Sequence, residues 1–162
     1  EVRTYIQDQF VNLIKTKYPQ VELIAGVATG AIAQGALVAQ ELGLPFVYVR
    51  SAAKNHGLEN LIEGEYKEGQ KVVVVEDLIS TGGSSLQAVE ALRNAGCDVL
   101  GMVAIFTYGF QKAIDNFTNA HCVLDTLSDY NAMIDLAQKT GYVQESDVAK
   151  LKEWRLSPES YK

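Results

Sequence analysis

The residues best suited to chemistry lie in one run, from Val72 to Ser85. Four valines lead into two adjacent carboxylates, Glu76 and Asp77, and a turn rich in glycine and hydroxyl side chains follows before a helical pattern starts. The free amides and positive dipole end of a helix start suit a phosphate, and glycines let the backbone approach it closely. Carboxylates accept hydrogen bonds from a vicinal diol and favour a positively charged sugar in a transition state. The run therefore predicts a site for a ribose 5-phosphate rather than an ordinary capped helix.

A second turn, at Ala28, Thr29 and Gly30, also lies between a predicted strand and a predicted helix. Exposed backbone amides in such a turn can hold another anionic group. The pattern is weak alone, because any turn of small residues that opens a helix looks similar. It gains weight from its position one crossover before the acidic run.

Three potential cations, Arg50, Lys54 and His56, lie within seven residues where a predicted strand gives way to a long polar stretch. Connections longer than about 12–15 residues in a compact domain are usually functional lids or disordered segments. We therefore expect a flexible loop over the site at about residues 51–70, with a small hairpin in part of it. The alternative is a solvated charged loop without a role.

The elements that must position these turns alternate along the chain. Helical spacing of apolar residues predicts a helix near residues 2–17, and short apolar runs predict strands at Val21–Val27, Phe46–Val49 and Lys71–Val75. A continuous valine run is typical of a strand covered on both faces, as in a parallel sheet. The predicted fold class is therefore α/β, with a mostly parallel central sheet flanked by helices, in one domain over residues 1–162.

The other predicted elements follow the same alternation, and the two terminal helices each open on a serine suited to capping. They are helices at Ala31–Leu42, Ser84–Ala95, Ser128–Lys139 and Ser146–Trp154, and strands at Val99–Phe106 and His121–Leu124.

Composition limits the classes of function. The 162 residues carry a net charge of -6 and no run rich in lysine or arginine, which argues against an extended nucleic-acid surface. No apolar stretch approaches the ~20 residues needed to span a bilayer. Cys97 and Cys122 form no CxxC pair, so we expect buried reduced thiols in a cytoplasmic protein. The sequence opens on a helical pattern without Met, and we expect its N-terminus to be incomplete.

The run from Val72 to Ser85 resembles the motif with which phosphoribosyltransferases bind phosphoribosyl diphosphate (PRPP). The resemblance implies a type I phosphoribosyltransferase-like fold and a requirement for Mg²⁺, chelated mainly by PRPP with no direct protein ligand. It also implies that the turn at Ala28, Thr29 and Gly30 holds the diphosphate of PRPP. The residues implied in PRPP binding are Arg50, Lys54, His56, Glu76, Asp77, Leu78, Ile79, Ser80, Thr81, Gly82, Gly83 and Ser84.

The segment from Arg50 to Gly57 is similar to the Arg-(x)3-Lys-x-His-Gly signature of the orotate phosphoribosyltransferases. This resemblance implies transfer of the 5-phosphoribosyl group from PRPP to orotate, giving orotidine 5′-monophosphate and diphosphate in UMP synthesis. Lys54 and Asp77 would be catalytic, with Lys54 neutralising the departing diphosphate, and Ser80 would contact orotate. A homodimer whose loops serve the neighbouring site is also implied.

The aromatic segment from Phe106 to Phe110 follows a predicted strand end and should border the base site, where a ring can stack on a pyrimidine. Core packing is the alternative for Phe106. Members of this family carry an N-terminal segment ahead of the helix that begins here near Glu1, and that segment covers the base pocket. The remaining alternatives are a phosphoribosyltransferase for another base, a PRPP-binding regulator of pyrimidine genes that binds RNA, and an inactive fragment.

Overall fold

The computed structural model describes residues 1–50 and 61–160. In this part the α-helices are α1 (Val2–Lys17), α2 (Ile32–Leu42), α3 (Gly83–Asn94), α4 (Gln111–Asn119), α5 (Tyr130–Lys139) and α6 (Glu145–Leu156), followed by a 3-10 turn at Pro158–Ser160. The strands are β1 (Leu23–Val27), β2 (Phe46–Val49), β3 (Ile62–Glu63), β4 (Lys71–Ile79), β5 (Asp98–Thr107) and β6 (Leu124–Asp129).

The described strands form one sheet in the order β3-β2-β1-β4-β5-β6. Every neighbouring pair is parallel except β2 and β3, which are antiparallel. The predicted α/β class, with a mostly parallel sheet flanked by helices, is confirmed.

The valines of β4 explain why this strand lies in the middle of the sheet. Val72 and Val74 pack into a core cluster with α3 and α4, whereas Val73 and Val75 pack into a second cluster with α1 and α2. All four are fully buried. Because both faces of the strand are covered, an uninterrupted apolar run is favoured over alternation.

The strand predicted at His121–Leu124 is wrong, because β6 begins only at Leu124 and continues to Asp129. His121 has a φ of 49° and lies in the turn that ends α4. The β6 strand pairs only with β5, at the edge of the sheet, and its side chains are half-buried or exposed. A polar edge strand lacks the continuous apolar pattern on which the prediction depended. Helix α4 was not predicted at all.

Neither terminal helix begins where a serine was expected to cap it. Ser128 belongs to β6, and α5 is capped instead by Asp129, whose side chain accepts a hydrogen bond of 3.0 Å from the Ala132 amide. Helix α6 starts at Glu145, one residue before Ser146, and no described side chain caps it. The two predicted thiols, Cys97 and Cys122, are both free and buried, as expected.

The second half of the predicted loop, residues 61–70, is anchored along the sheet. The Arg50 amide donates to the Leu61 carbonyl at 2.8 Å, and Ile62 and Glu63 pair with β2. The Gly69 amide then donates to the Gly96 carbonyl at 2.8 Å, beside the start of β5. The prediction of a flexible loop over the site therefore bears only on residues 51–60, which lie outside the described ranges.

Candidate active site

The turns predicted to bind ligand all follow the carboxyl ends of parallel strands. Strands β1, β2, β4 and β5 run in the same direction, so the turns after Val27, Val49, Ile79 and Thr107 share one edge of the sheet. Ligands of open α/β sheets bind at this edge. The topology therefore gathers the segments that the sequence singled out.

The two adjacent carboxylates of the motif occupy different environments. Asp77 is exposed, whereas Glu76 is only 5% exposed. Both still lie within β4, which continues through the acidic pair to Ile79 instead of ending at Val75. Alternate residues of a strand point to opposite faces, so one carboxylate is directed under α3 and the other away from it.

Glu76 is held by two hydrogen bonds. The buried Ser85 hydroxyl donates to Glu76 Oε2 at 2.8 Å, and the Asp77 amide donates to Glu76 Oε1 at 2.9 Å. The pKa of Glu76 is raised to about 7, mainly by burial and also by the neighbouring Asp77 side chain, while both hydrogen-bond donors named here act to lower it. A buried carboxyl with a raised pKa thus lies next to the exposed Asp77 carboxylate on β4.

The residues after the acidic pair differ in what they can offer a ligand. Leu78 is 42% exposed and Ser80 is exposed, whereas the Ile79 side chain is fully buried. Ile79 contributes its carbonyl to structure, since it accepts from the Tyr108 amide at 3.1 Å. The predicted part of Ile79 in PRPP binding can therefore involve only its backbone.

The turn that precedes α3 is shaped by Gly82 and supported by α4. Gly82 has a φ of +79°, a conformation that side-chain-bearing residues rarely adopt, and an added Cβ would lie 2.6 Å from Phe117. The Asn116 side chain donates to the Thr81 carbonyl at 2.9 Å. No described side chain caps α3, so the free amides of its first turn, with the exposed Ser84, point out of the helix end toward the site.

The turn after β1 lies directly against the acidic pair. A Cβ added at Gly30 would overlap the Asp77 carboxylate. Thr29 and Gly30 are exposed, and no described side chain caps the helix that follows them. The two turns predicted to bind separate anionic groups are therefore brought together on either side of Asp77.

The cationic residues are only partly placed by the structure. Arg50 follows the end of β2 and lies 3.4 Å from Glu63 through its Nη1 atom. Its side chain is 28% exposed, so it remains accessible from the sheet edge. Lys54 and His56 lie outside the described residues, and their predicted roles stay predictions.

An aromatic cluster follows the end of β5 and was only half foreseen. Tyr108 stacks on Phe110 with ring centres 5.2 Å apart, and both rings contact Trp154 of α6 edge-on. Phe106 and Tyr130 complete the cluster through contacts with Tyr108. The sequence predicted that the aromatic segment at the end of β5 borders the base site. It gave no sign that Tyr130 and Trp154, more than twenty positions after Tyr108, would join the cluster.

A cavity of about 510 Å³ opens between this cluster and α4. It is lined by Thr107, Tyr108 and Gly109 after β5, by residues of α4, and by the start of α5. Arg155 also lines it and donates from Nη1 to the Gly109 carbonyl at 3.0 Å, while its buried Nε has no hydrogen-bond partner in the described structure. The carboxylates of the motif do not line this cavity, which adjoins the turn before α3 through Phe117. Arg155 is a candidate anion-binding residue that the sequence patterns did not reveal.

Two wider features of the described residues bear on the chemistry. No cluster of three or more His, Cys, Asp or Glu side chains in this part of the chain is arranged to hold a metal ion. None of its helices has the length and apolar character required to cross a membrane.

Comparison with known proteins places this geometry in a family. Residues 2–136 match the model of the phosphoribosyl transferase domain. The chain is 60% identical over 157 residues to the orotate phosphoribosyltransferase of Bacteroides thetaiotaomicron, covering 97% of this chain and 74% of that protein. It is 59% identical over 161 residues to the orotate phosphoribosyltransferase of Porphyromonas gingivalis, covering 99% and 77%.

Solved structures agree. The crystal structure of orotate phosphoribosyltransferase from Aeropyrum pernix superposes with a TM-score of 0.75 at 26% identity, over 86% of this chain and 76% of that one. With the fold, the paired turns and the relatives in accord, the chain belongs to the orotate phosphoribosyltransferase family.

Proposed function

We propose that this chain transfers the 5-phosphoribosyl group of PRPP to orotate, giving orotidine 5′-monophosphate and diphosphate. The observation that carries the proposal is the contact of Gly30 with the Asp77 carboxylate. PRPP presents a 5-phosphate, a ribose diol and a 1-diphosphate on one sugar. The turn before α3 would bind the 5-phosphate, the Asp77 carboxylate would accept from the ribose diol, and the turn after β1 would bind the 1-diphosphate. The carboxylate lies between the two turns, as the diol lies between the two anionic groups of PRPP.

In this mechanism the 5-phosphate binds the free amides at the start of α3, and the diphosphate binds the turn at Ala28, Thr29 and Gly30. The bond between ribose C1 and the diphosphate oxygen breaks while a ring nitrogen of orotate forms the new bond to C1. The proton of that nitrogen passes to the departing diphosphate. The Asp77 carboxylate accepts from the ribose hydroxyls and stabilises positive charge that develops on the sugar. Lys54 and Arg50 would offset the negative charge that accumulates on the departing diphosphate.

Magnesium belongs to the proposal as part of the substrate. Among the described residues, Asp77 and Glu76 belong to no group of three or more His, Cys, Asp or Glu side chains that could hold a metal ion, and both oxygens of Glu76 already accept hydrogen bonds. Such a donor set suits an ion that the phosphate and hydroxyl oxygens of PRPP carry into the site. The ion would neutralise diphosphate charge as the C1–oxygen bond breaks.

Orotate is proposed to occupy the cavity beside the aromatic cluster. Ser80 does not line this cavity, and its predicted contact with orotate stays a prediction. The base is a planar ring that bears a carboxylate. Tyr108 lines the cavity and offers aromatic surface to the base, and Arg155 offers a guanidinium whose Nε has no hydrogen-bond partner among the described residues. A charge-assisted hydrogen bond from arginine would distinguish orotate from uracil, which lacks the carboxylate.

The first test is product formation from PRPP and Mg²⁺ with orotate, uracil, adenine and hypoxanthine offered separately. We expect orotidine 5′-monophosphate with orotate and at least 100-fold slower turnover with the other bases, because a buried cation left unpaired is costly. Faster turnover with another base would overturn the assignment of orotate as the substrate. A lack of turnover with every base would overturn the proposal that the chain is a transferase.

The second test replaces Arg155 with Met, which keeps the length of the side chain and removes its charge. Loss of a charge-assisted hydrogen bond predicts a rise in KM for orotate of roughly 10–100-fold, with KM for PRPP unchanged. Lys150→Met, on an exposed position of the same helix, is the matched control. Equal effects on both KM values would show that Arg155 supports the fold rather than the base.

The working unit is proposed to be a homodimer in which the loop carrying Lys54 serves the partner's site. Mixing a Lys54→Ala subunit with an Asp77→Asn subunit, each nearly inactive alone, then yields heterodimers with one intact site and one doubly altered site. Activity should recover to a substantial fraction of the wild-type rate. Heterodimers that form without recovery would show that the loop acts within its own subunit.

A cytoplasmic location completes the proposal. It is supported by the two thiols, Cys97 and Cys122, which are free and buried in apolar surroundings, as in proteins of a reducing compartment.

A further inference from the structure

The only buried charged or hydroxyl side chains of the described residues, apart from tyrosines, face each other at the site. They are Glu76, 5% exposed, and Ser85, 2% exposed, and the Ser85 hydroxyl lies 2.8 Å from Glu76 Oε2. A buried carboxyl is destabilising unless its oxygens accept hydrogen bonds. Each side chain therefore supplies the hydrogen-bond partner that the other needs in order to be buried.

The position of Ser85 makes its choice of partner informative. It is the third residue of α3, within the first turn, where a serine hydroxyl can bond to nearby backbone groups of its own helix. Its hydroxyl instead reaches across to the strand, nine residues back in sequence. The amides at the helix start are thus left for a ligand, while the helix itself is tied to β4.

The same hydrogen bonds continue to the exposed carboxylate. Glu76 Oε1 accepts from the Asp77 amide at 2.9 Å, and Asp77 Oδ1 accepts from the Leu78 amide at 2.7 Å. Gly30 closes the other side of the Asp77 carboxylate. The chain of contacts from Ser85 through Glu76 to Asp77 joins the phosphate-binding helix start to the ribose acceptor.

We infer that Ser85 is a positioning residue for PRPP, which acts by fixing Glu76 and, through it, the orientation of Asp77 relative to the start of α3. The inference rests on the proposed function and deepens it, because it assigns to Ser85 the support of the two carboxylates that are predicted to bind PRPP. Neither oxygen of Glu76 is free of a donor, and its side chain is almost inaccessible.

The surroundings of Glu76 supply a measurable signature. Asp77 is its charged neighbour on β4, Ser85 faces it from α3, β5 presents Ala104, and β1 presents the buried Val27. The pKa of Glu76 is raised to about 7 because burial and Asp77 together outweigh the Ser85 hydrogen bond, which lowers it. Removing the Ser85 hydroxyl should therefore raise the pKa of Glu76 further.

The test measures the dissociation constant of PRPP by calorimetry, without any base, across pH 6 to 9. For Ser85→Ala we expect affinity to fall about tenfold, the typical effect of one hydrogen bond to a charged group. The midpoint of the pH dependence should also move upward relative to wild type. Glu76→Gln should retain only the pH dependence that the phosphates of PRPP themselves impose, with a second pKa of about 6, and adding Ser85→Ala to it should cause no further shift.

Three further variants make the result decisive. Ser85→Thr keeps the donor and should retain the wild-type midpoint, whereas Ser85→Cys keeps the size with a weak donor and should shift it; the Cys variant replaces Ala if Ala does not fold. Gln87→Ala, exposed on α3, is the control for changes in the helix. An unchanged midpoint in folded Ser85→Ala or Ser85→Cys would overturn the inference about Ser85 and leave the proposed function standing. Failure of the wild-type chain to bind PRPP would overturn the proposed function.

Discussion

The turns after β1 and after β4 both lie next to the Asp77 carboxylate, but different features of the sequence shape them. The turn after β4 depends on polar side chains: Ser85 holds Glu76, and Asn116 supports the Thr81 carbonyl. The turn after β1 depends on the lack of a side chain, because only a glycine at position 30 leaves room for the Asp77 carboxylate. Polar side chains leave a distinctive sequence pattern, whereas a close backbone approach leaves one glycine among ordinary small residues.

The largest effect is expected at Asp77, the point where the two turns meet. Asp77→Asn keeps the shape of the side chain and removes its charge. By analogy with deletion of one preorganised group, kcat for orotate should fall on the order of 10²–10³. Asp98→Asn, an exposed carboxylate at the amino end of β5, is the matched control. A kcat within threefold of wild type would remove Asp77 from the mechanism.

Gly30→Ala should have the next largest effect, and it isolates the turn after β1. The new Cβ would overlap the Asp77 carboxylate, which is the end of an exposed side chain and can rotate away. We expect kcat/KM for PRPP to fall roughly 10–100-fold while the free energy of unfolding changes by less than about 0.5 kcal/mol. Steady-state kinetics and urea unfolding measure the two quantities, and Ala33→Ser on an exposed position of α2 is the control.

The same substitution in the other turn sharpens the comparison. A Cβ at Gly83 meets no atom within 4 Å, so Gly83→Ala leaves Asp77 undisturbed and reaches only the space where the phosphate is proposed to bind. Its effect should therefore appear in KM for PRPP and leave kcat unchanged. If Gly30→Ala and Gly83→Ala changed kcat equally, the contact of Gly30 with Asp77 would have no separate role.

The sheet was predictable because its central strands are apolar on both faces. The run from Val72 to Val75 and the spacing of helices between strands were enough to predict a parallel α/β fold. Strand β6 was misplaced because it lies at the edge, where only half-burial is available and polar residues are tolerated. Helix α4 is nine residues long and begins directly after the aromatic segment, so its periodicity was too short to detect.

The sequence predicted which residues lie at the site, but not which of them are buried and which are exposed to a ligand. Glu76 and Asp77 are adjacent carboxylates in sequence, and only the packing of α3 over one face of β4 distinguishes the buried one from the exposed one. Ser85 and Arg155 were missed for a related reason. Their partners, Glu76 and Gly109, lie 9 and 46 positions away, and no local pattern encodes such contacts.

The smallest predicted effect concerns Glu76, the buried carboxyl of β4. The pKa of Glu76 is raised from its ordinary value of 4.5 to about 7, so between these values the folded chain binds more protons than the unfolded chain. The stability contributed by the protonated carboxyl is therefore fully present below about pH 4.5 and is lost as pH rises through about 7. Glu76→Gln stays uncharged at every pH and still offers an oxygen to Ser85.

Wild type should accordingly lose stability relative to Glu76→Gln as pH rises from 5 to 8, by on the order of 1–3 kcal/mol. Urea unfolding of both proteins at matched pH measures this difference, and the titration of all other groups cancels in it. Glu90→Gln, the same exchange at an exposed position of α3, is the matched control. A wild-type chain that gained stability relative to Glu76→Gln over this range would show that Glu76 is ionised and stabilised in the folded state. In that case burial under α3 would not keep Glu76 neutral. The difference in charge state expected for this buried carboxyl would then have no part in the contrast between the two turns.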